Sequence, residues 1–348
     1  MKKNIAVIGY GGQGAWHCRQ IEKSDVAALA GTYDIRQIRM DAAKADGVKT
    51  YPSSEAIFAD PAVDAVVIAT PNDDHKRLVV DALAAGKNVI CEKPVEMSVA
   101  ALDEMIKAAE KSGKIFTVHQ NRRWDVDFLG IKKIIEDGDI GEPLRVESRI
   151  HGSRGIPSDW RCQKAHGGGM ILDWGVHLID QMLQLFRQKI ERVYCAVTHI
   201  TNDEVDDGFR LELFFEDGKT VYIEVGTYNF IAMPRFYMQC KQGSAIITDW
   251  TQKAKVAKMI AWHEKDVLPV QTAAGITKTM APRDEITLKE YEVDRPVSDV
   301  HDFYRNFCAA VDGKEPQLIT HAEVRRVMQV MEAAFASAES GQTVNVSI

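Results

Sequence analysis

At 348 residues the chain exceeds the roughly 250 to 300 at which single hydrophobic cores stop growing, so two domains are expected. Its composition is 45% hydrophobic and 27% charged with a formal net charge of −7, which argues for a soluble globular protein and against a basic nucleic-acid binder. Six cysteines show no CxxC spacing and no apolar run is long enough for a membrane span, so reduced thiols in a cytoplasmic protein with no membrane or nucleic-acid partner are expected.

The opening MKKNIAVIGYGG has the lysines and short apolar run of a signal peptide, but glycines interrupt it and a first β-strand explains it better. Residues 5–9, 26–34, 65–70, 88–94 and 115–121 are β-branched runs that predict strands. Between them, 13–23, 36–46, 75–86 and 98–113 carry helical spacing. This β-α alternation predicts an α/β domain over residues 1–121, a doubly wound parallel sheet with both faces covered. After Trp124 the pattern changes. Residues 127–137 and 170–186 read as helices, 191–293 as successive strands, and 298–312 and 321–340 as helices. Phe209, Leu211, Leu213 and Phe215 alternate with polar residues, EDGK turns the chain, and Val221, Ile223 and Val225 alternate again. Residues 122–348 therefore read as an α+β domain on an antiparallel sheet, with the last helices free to pack back on the first domain.

The first strand runs into Gly9-Tyr-Gly11-Gly12-Gln-Gly14 and a helix follows, the context in which GxGxxG binds a dinucleotide pyrophosphate. Asp34 ends the second strand where a carboxylate accepts from ribose hydroxyls and repels a 2′-phosphate. NAD is favoured on that ground, while Arg36 keeps NADP open. Two more strand ends carry polar residues, ATPNDDH at 69–75 and CEKP at 91–94. Ligands of open α/β sheets sit outside the carboxyl ends of the strands, so Thr70, Asn72, His75, Glu92 and Lys93 are expected to line one crevice. His75 alone reads equally well as a surface histidine. Lys93, before proline and inside the crevice, is poorly explained as a solvated charge.

GYGGQG, the ATPNDDH strand end, EKP at 92–94, GGGMILDWGVHLID at 167–180 and the ending HAEVRRVMQVMEAAFASAESGQTV together resemble the Gfo/Idh/MocA oxidoreductases over nearly the whole chain. The resemblance implies a Rossmann domain followed by a domain on a large, mainly antiparallel open sheet that forms homodimer or homotetramer interfaces. It also implies that Lys93, Asp173 and His177 match catalytic positions. Trp174 and NRRW at 121–124 point toward the family's sugar and inositol dehydrogenases. Family members act on sugars, cyclitols, amino-sugar nucleotides, dihydrodiols and bilins, so the resemblance names no substrate.

Asp173, His177 and Asp180 at i, i+4 and i+7 share one stripe of a helix that is otherwise apolar. Zinc is excluded as an expectation because no third ligand of suitable spacing accompanies the pair. Taken alone, the stripe reads as a buried carboxylate–imidazole hydrogen bond. Opposite Lys93 it reads as half of an alcohol-oxidising site: His177 takes the hydroxyl proton, Asp173 orients the substrate and tunes the histidine, and Lys93 stabilises charge on the reacting oxygen. Whether lysine or histidine carries the proton stays open, and Asp180 reads as structural. The glycines at 167–169 are expected to let the helix approach cofactor or substrate. Arg123, Trp160 and Arg161 are candidate substrate-side residues, with an interdomain salt bridge the equal alternative for Arg123 and core filling the commoner fate for Trp160. Beside an NAD(P)-dependent dehydrogenase for a sugar, cyclitol or polyol stand two alternatives: an NAD-retaining, redox-neutral hydrolase or lyase, and a noncatalytic NAD(P)-binding sensor.

Overall fold

The computed structural model describes residues 1–262, 267 and 269–348. Strands β1 (Lys3–Ile8), β2 (Ala27–Tyr33), β3 (Ala65–Ile68), β4 (Asn88–Cys91) and β5 (Phe116–Val118) form a parallel sheet in the order β2-β1-β3-β4-β5. Helices α1 (Gly12–Lys23), α2 (Gln37–Ala45), α3 (Ser54–Ala59), α4 (His75–Ala84) and α5 (Val99–Ser112) make the crossovers. Every residue of β3, β4 and β5 is buried, as strands covered on both faces must be. The one-turn α3, capped by Ser53, is too short to show a period and lies where no helix was expected. The strands stop earlier than their apolar runs suggest. Residues 69–70, 92–94 and 119–121 lie past the ladder, where their polar groups are free for other partners.

Strands β6 (Pro143–His151), β7 (Ile190–Thr198), β8 (Gly208–Phe215), β9 (Thr220–Gly226), β10 (Phe236–Cys240), β11 (Gly243–Ile247) and β12 (Ala254–Met259) belong to a second, nine-stranded sheet. A small hairpin, β13 (Val270–Thr272) and β14 (Gly275–Thr277), stands apart from it, and β15 (Leu288–Val293) and β16 (Val344–Asn345) complete it in the order β15-β12-β11-β10-β6-β9-β8-β7-β16. All its pairs are antiparallel except β6 with β9, whose connection passes through the helical segment and a hairpin before returning. Phe209, Leu211, Leu213, Val221, Ile223 and Val225 alternate inward as their period requires.

Helices α6 (Val126–Asp137) and α7 (Val176–Leu185) belong with this sheet, α8 (His301–Val311) packs against α1 of the first, and α9 (His321–Ser340) ties the two sheets together. Ser337 on α9 accepts from the Cys195 N–H of β7, while Arg325 pairs with Asp103 and Glu332 accepts from the Val99 N–H, both on α5. Tyr304 on α8 reaches His17 on α1. No helix among the described residues is long and apolar enough to cross a membrane.

Candidate active site

The glycines of the first turn divide by role. A Cβ on Gly9, whose φ is +97°, would meet the Ala69 carbonyl oxygen at 2.4 Å, and one on Gly14 would meet the Gly9 carbonyl oxygen at 1.8 Å, so these two are needed for packing. Gly11 and Gly12 face open space, leaving room for a ligand to reach the backbone. Gly11 caps α1 without a side-chain acceptor, so the first N–H groups of the helix present positive charge to that space. Asp34 sits beside the turn: its Oδ2 accepts from the Tyr10 N–H at 2.7 Å and its Oδ1 from the Arg36 N–H at 2.9 Å. The Arg36 guanidinium is exposed next to it.

Of the polar strand ends, Thr70 keeps its Oγ1 unpartnered at the β3 end among the described residues. Three expected crevice residues turn elsewhere. His75 is fully buried, with Nδ1 facing the Pro94 carbonyl at 3.0 Å and Nε2 the Thr70 carbonyl at 3.0 Å, so it braces two strand ends against each other from within. Asn72 donates to the Gly167 carbonyl at 3.0 Å and links the β3 end to the glycine run of the second domain. Glu92 points behind the crevice and accepts from Gln13, His17 and His119. Burial opposes its charge, but the His119 and His17 rings hold the carboxyl well below the usual carboxylate range. Both imidazole nitrogens lie 2.7 and 2.8 Å from one carboxylate oxygen, the spacing of N–H···O bonds, whereas ligands of a tetrahedral ion bound at ~2.0–2.1 Å stand about 3.3 Å apart. His17, Glu92 and His119 are therefore a hydrogen-bonded hub. Its sequence trace was slight: a histidine on the buried face of α1.

Lys93 emerges past β4 into the space between the two sheets. Its Nζ donates to the Asp173 carboxylate at 3.1 Å and to the Asp173 main-chain carbonyl at 3.0 Å. Arg161 donates from Nε to the other carboxylate oxygen of Asp173 at 3.1 Å. Burial works against the Asp173 charge, yet Lys93 and Arg161 more than offset it and its pKa falls. His177 makes no hydrogen bond with Asp173. The expected uninterrupted helix over 170–186 is instead a π-turn, Ile171–Gly175, that runs into α7, and both oxygens of the Asp173 carboxylate are taken up by Lys93 and Arg161. Nδ1 of His177 is buried without a hydrogen-bond partner among the described residues, and burial first, then Lys93 and Arg122, pulls its proton affinity well below that of a free imidazole.

The glycine run serves the protein's own packing. A Cβ on Gly167 would meet Asn72, one on Gly168 the Arg161 carbonyl, and one on Gly169 the Asp206 carboxylate at 2.2 Å. Asp206 accepts from the Ile171 N–H at 2.8 Å and so caps the π-turn; burial raises its pKa to about 7.

Arg123 does not face a substrate. Its guanidinium is buried and makes a two-pronged pair with Asp180, at 2.8 and 2.6 Å, and a third bond to Glu323 on α9 at 3.2 Å. Asp180 is structural, as its position one turn on suggested. The neighbouring Arg122, noted from the sequence only as part of NRRW and given no role there, stacks 4.1 Å over the Trp174 ring with Trp250 5.5 Å away. Trp160 lies half-buried under the guanidinium of the same Arg161 that bonds Asp173, at 4.6 Å.

An open helix N-terminus beside glycines, with an ammonium group fixed by a carboxylate two strands away, is an arrangement that serves hydride transfer, and the class it defines is the dinucleotide-dependent oxidoreductase. Residues 3–120 match the family model described as an oxidoreductase family with an NAD-binding Rossmann fold, and residues 128–246 match the GFO/IDH/MocA C-terminal domain. The chain belongs to the Gfo/Idh/MocA oxidoreductase family. It is similar to the crystal structure of an NAD-binding protein from Listeria innocua, with 44% identity and a TM-score of 0.96 over 99% of this chain and 100% of that one. It is 26% identical over 351 residues to the scyllo-inositol 2-dehydrogenase (NADP(+)) IolW of Bacillus subtilis, a match covering 98% of this chain and 95% of that protein. It is also 32% identical over 205 residues to the myo-inositol 2-dehydrogenase of Thermotoga maritima, covering 58% of this chain and 60% of that protein. Some other curated relatives are matched over about half their length.

Proposed function

We propose that the protein transfers hydride between NAD and a secondary alcohol or ketone of a cyclitol or sugar. The observation that supports this reading best is the Lys93 ammonium, held by two bonds to Asp173 with its third proton left for a substrate oxygen. Oxidation moves hydride from carbon to the nicotinamide and a proton from the hydroxyl to a base. Lys93 stabilises the negative charge that develops on the oxygen. Asp173 fixes the lysine, not the histidine, which revises its expected role. His177, kept neutral by burial and by the cations around it, offers a lone pair for the hydroxyl proton.

On the cofactor side, the Asp34 carboxylate beside the turn favours the two free hydroxyls of NAD over a 2′-phosphate, and the exposed Arg36 is the group that would admit NADP. The inositol dehydrogenases among the relatives make cyclitols the first compounds to try. A panel of inositols and sugars, each with NAD and NADP, followed by the near-ultraviolet absorbance of the reduced nicotinamide, tests the reading. Turnover of a polyol with NAD ahead of NADP is expected; no reduction with any member of the panel overturns the substrate class.

A further inference from the structure

Glu92 has no free face toward the cofactor crevice, yet it stands between the two halves of the site. Its Oε1 accepts from Gln13 Nε2 at 2.9 Å, His17 Nε2 at 2.7 Å and His119 Nδ1 at 2.8 Å. Its Oε2 accepts from the main-chain N–H of Lys93 at 3.1 Å. Burial keeps His17 neutral, and because its Nε2 carries the proton toward Glu92, its Nδ1 accepts from the Tyr304 hydroxyl at 2.7 Å. One carboxylate therefore touches the first turn of α1, the backbone of the catalytic lysine, the residue after β5 and, through His17, helix α8.

The four partners of the carboxylate are not alike. His17 and His119 are wholly buried and would satisfy it as a purely structural hub. Gln13 is an exposed residue of the GYGGQG turn that reaches inward to make its bond, the link most easily altered when a pyrophosphate settles on that turn. The Lys93 N–H fixes where the lysine side chain starts. We infer that Glu92 is a positioning residue that couples the dinucleotide-binding turn to the placement of Lys93, and so brings the ammonium group to the reacting oxygen when the cofactor is in place. This rests on Lys93 acting at that oxygen, as proposed above. Tyr304 and His17 hold the carboxylate from behind, so that its reach is set on the side of Gln13 and Lys93.

Glu92→Gln keeps the size of the side chain and replaces one acceptor oxygen by an amide that cannot accept. Gln13→Leu removes only the exposed link and leaves the buried hub intact, so its folding is not at risk. For Glu92→Gln, kcat is expected to fall roughly 10- to 100-fold, the cost of a misplaced group, with KM unchanged and NADH affinity altered far less than kcat. Gln13→Leu should show a smaller fall of the same kind at an unchanged melting temperature. Crystal structures with NADH read the placement without any substrate: in Glu92→Gln the Lys93 ammonium should leave Asp173. If that contact persists and kcat is normal, or if NADH affinity falls as far as kcat does, the coupling is wrong. Lys93→Met, assayed alongside, separates the two ideas. Full turnover in Lys93→Met overturns the role of the lysine itself, whereas a dead Lys93→Met beside a normal Glu92→Gln removes only the coupling.

Discussion

The two sides of the crevice are built from different materials. On the dinucleotide side, main chain does most of the work: Gly11 and Gly12 leave open space, the N-terminus of α1 supplies uncapped N–H groups, and one carboxylate, Asp34, stands beside them. On the other side, charged side chains hold one another in place: Lys93 and Arg161 on Asp173, Arg122 against Trp174 and, in the interior, Arg123 with Asp180 and Glu323. A surface made of backbone tolerates changes wherever a Cβ has room. A surface made of paired charges fails when either partner is taken away, because the remaining charge is buried alone.

That contrast can be broken in order of size. Arg123→Ala leaves Asp180 uncompensated in the interior and should cost about 3–5 kcal/mol in urea unfolding; a loss near zero would mean that the pair is not holding α7. Next comes Lys93→Ala, expected to lower turnover at least ~100-fold while NADH still binds, as the proposed action of the ammonium on the reacting oxygen and not on the dinucleotide requires. The glycines sharpen the comparison at smaller scale. Gly14→Ala forces a Cβ against the Gly9 carbonyl and should destabilise by roughly 1–3 kcal/mol, whereas Gly11→Ala should leave the melting temperature alone and weaken NADH binding. If the two exchange effects, the division of roles between these glycines is wrong.

A pH effect is expected at the cap of the π-turn. The folded-state pKa of Asp206 is raised from 3.8 to about 7, so the folded protein holds a proton there that the unfolded chain releases between those values. Stability is therefore lost as pH rises through that window. Asp206→Asn keeps an acceptor for the Ile171 N–H and removes the ionisation, and it should raise the melting temperature by a few degrees at about pH 8 and little at about pH 4. Equal shifts at both would exclude the carboxyl as the cause.

The same contrast explains what could be read from the sequence. GYGGQG, the strand that precedes it and the acid that follows are local, and local patterns carry their own geometry, so the Rossmann sheet and its turn were legible. Lys93, Asp173 and Arg161 were each singled out, but the bond from Asp173 to lysine and arginine in place of His177 was not. An apolar run with helical spacing does not reveal a π-turn, nor that Lys93 and Arg161 take both oxygens of the carboxylate. His75, Asn72 and Glu92 look alike as polar residues after strands; which of them turn inward depends on carbonyls and rings contributed by distant segments. Arg122 and Arg123 are neighbours in sequence with nothing to tell them apart until Trp174 and Asp180 are placed. Trp250 lies on a loop of the second sheet and carries no local signal at all.

The clamp on Arg123 also has a history in the life of each molecule. Asp180 follows it by 57 residues and Glu323 by 200. On a ribosome adding about 5–20 residues per second, the arginine waits on the order of 10 to 40 s for its last partner. The five parallel strands and Lys93 precede the arginine and can assemble during that interval, whereas α9, which packs on α5 of that half and on β7 of the other, is made last. Nascent chains arrested before Glu323 emerges should therefore capture dinucleotide before they can hold the Asp173 turn in its working place.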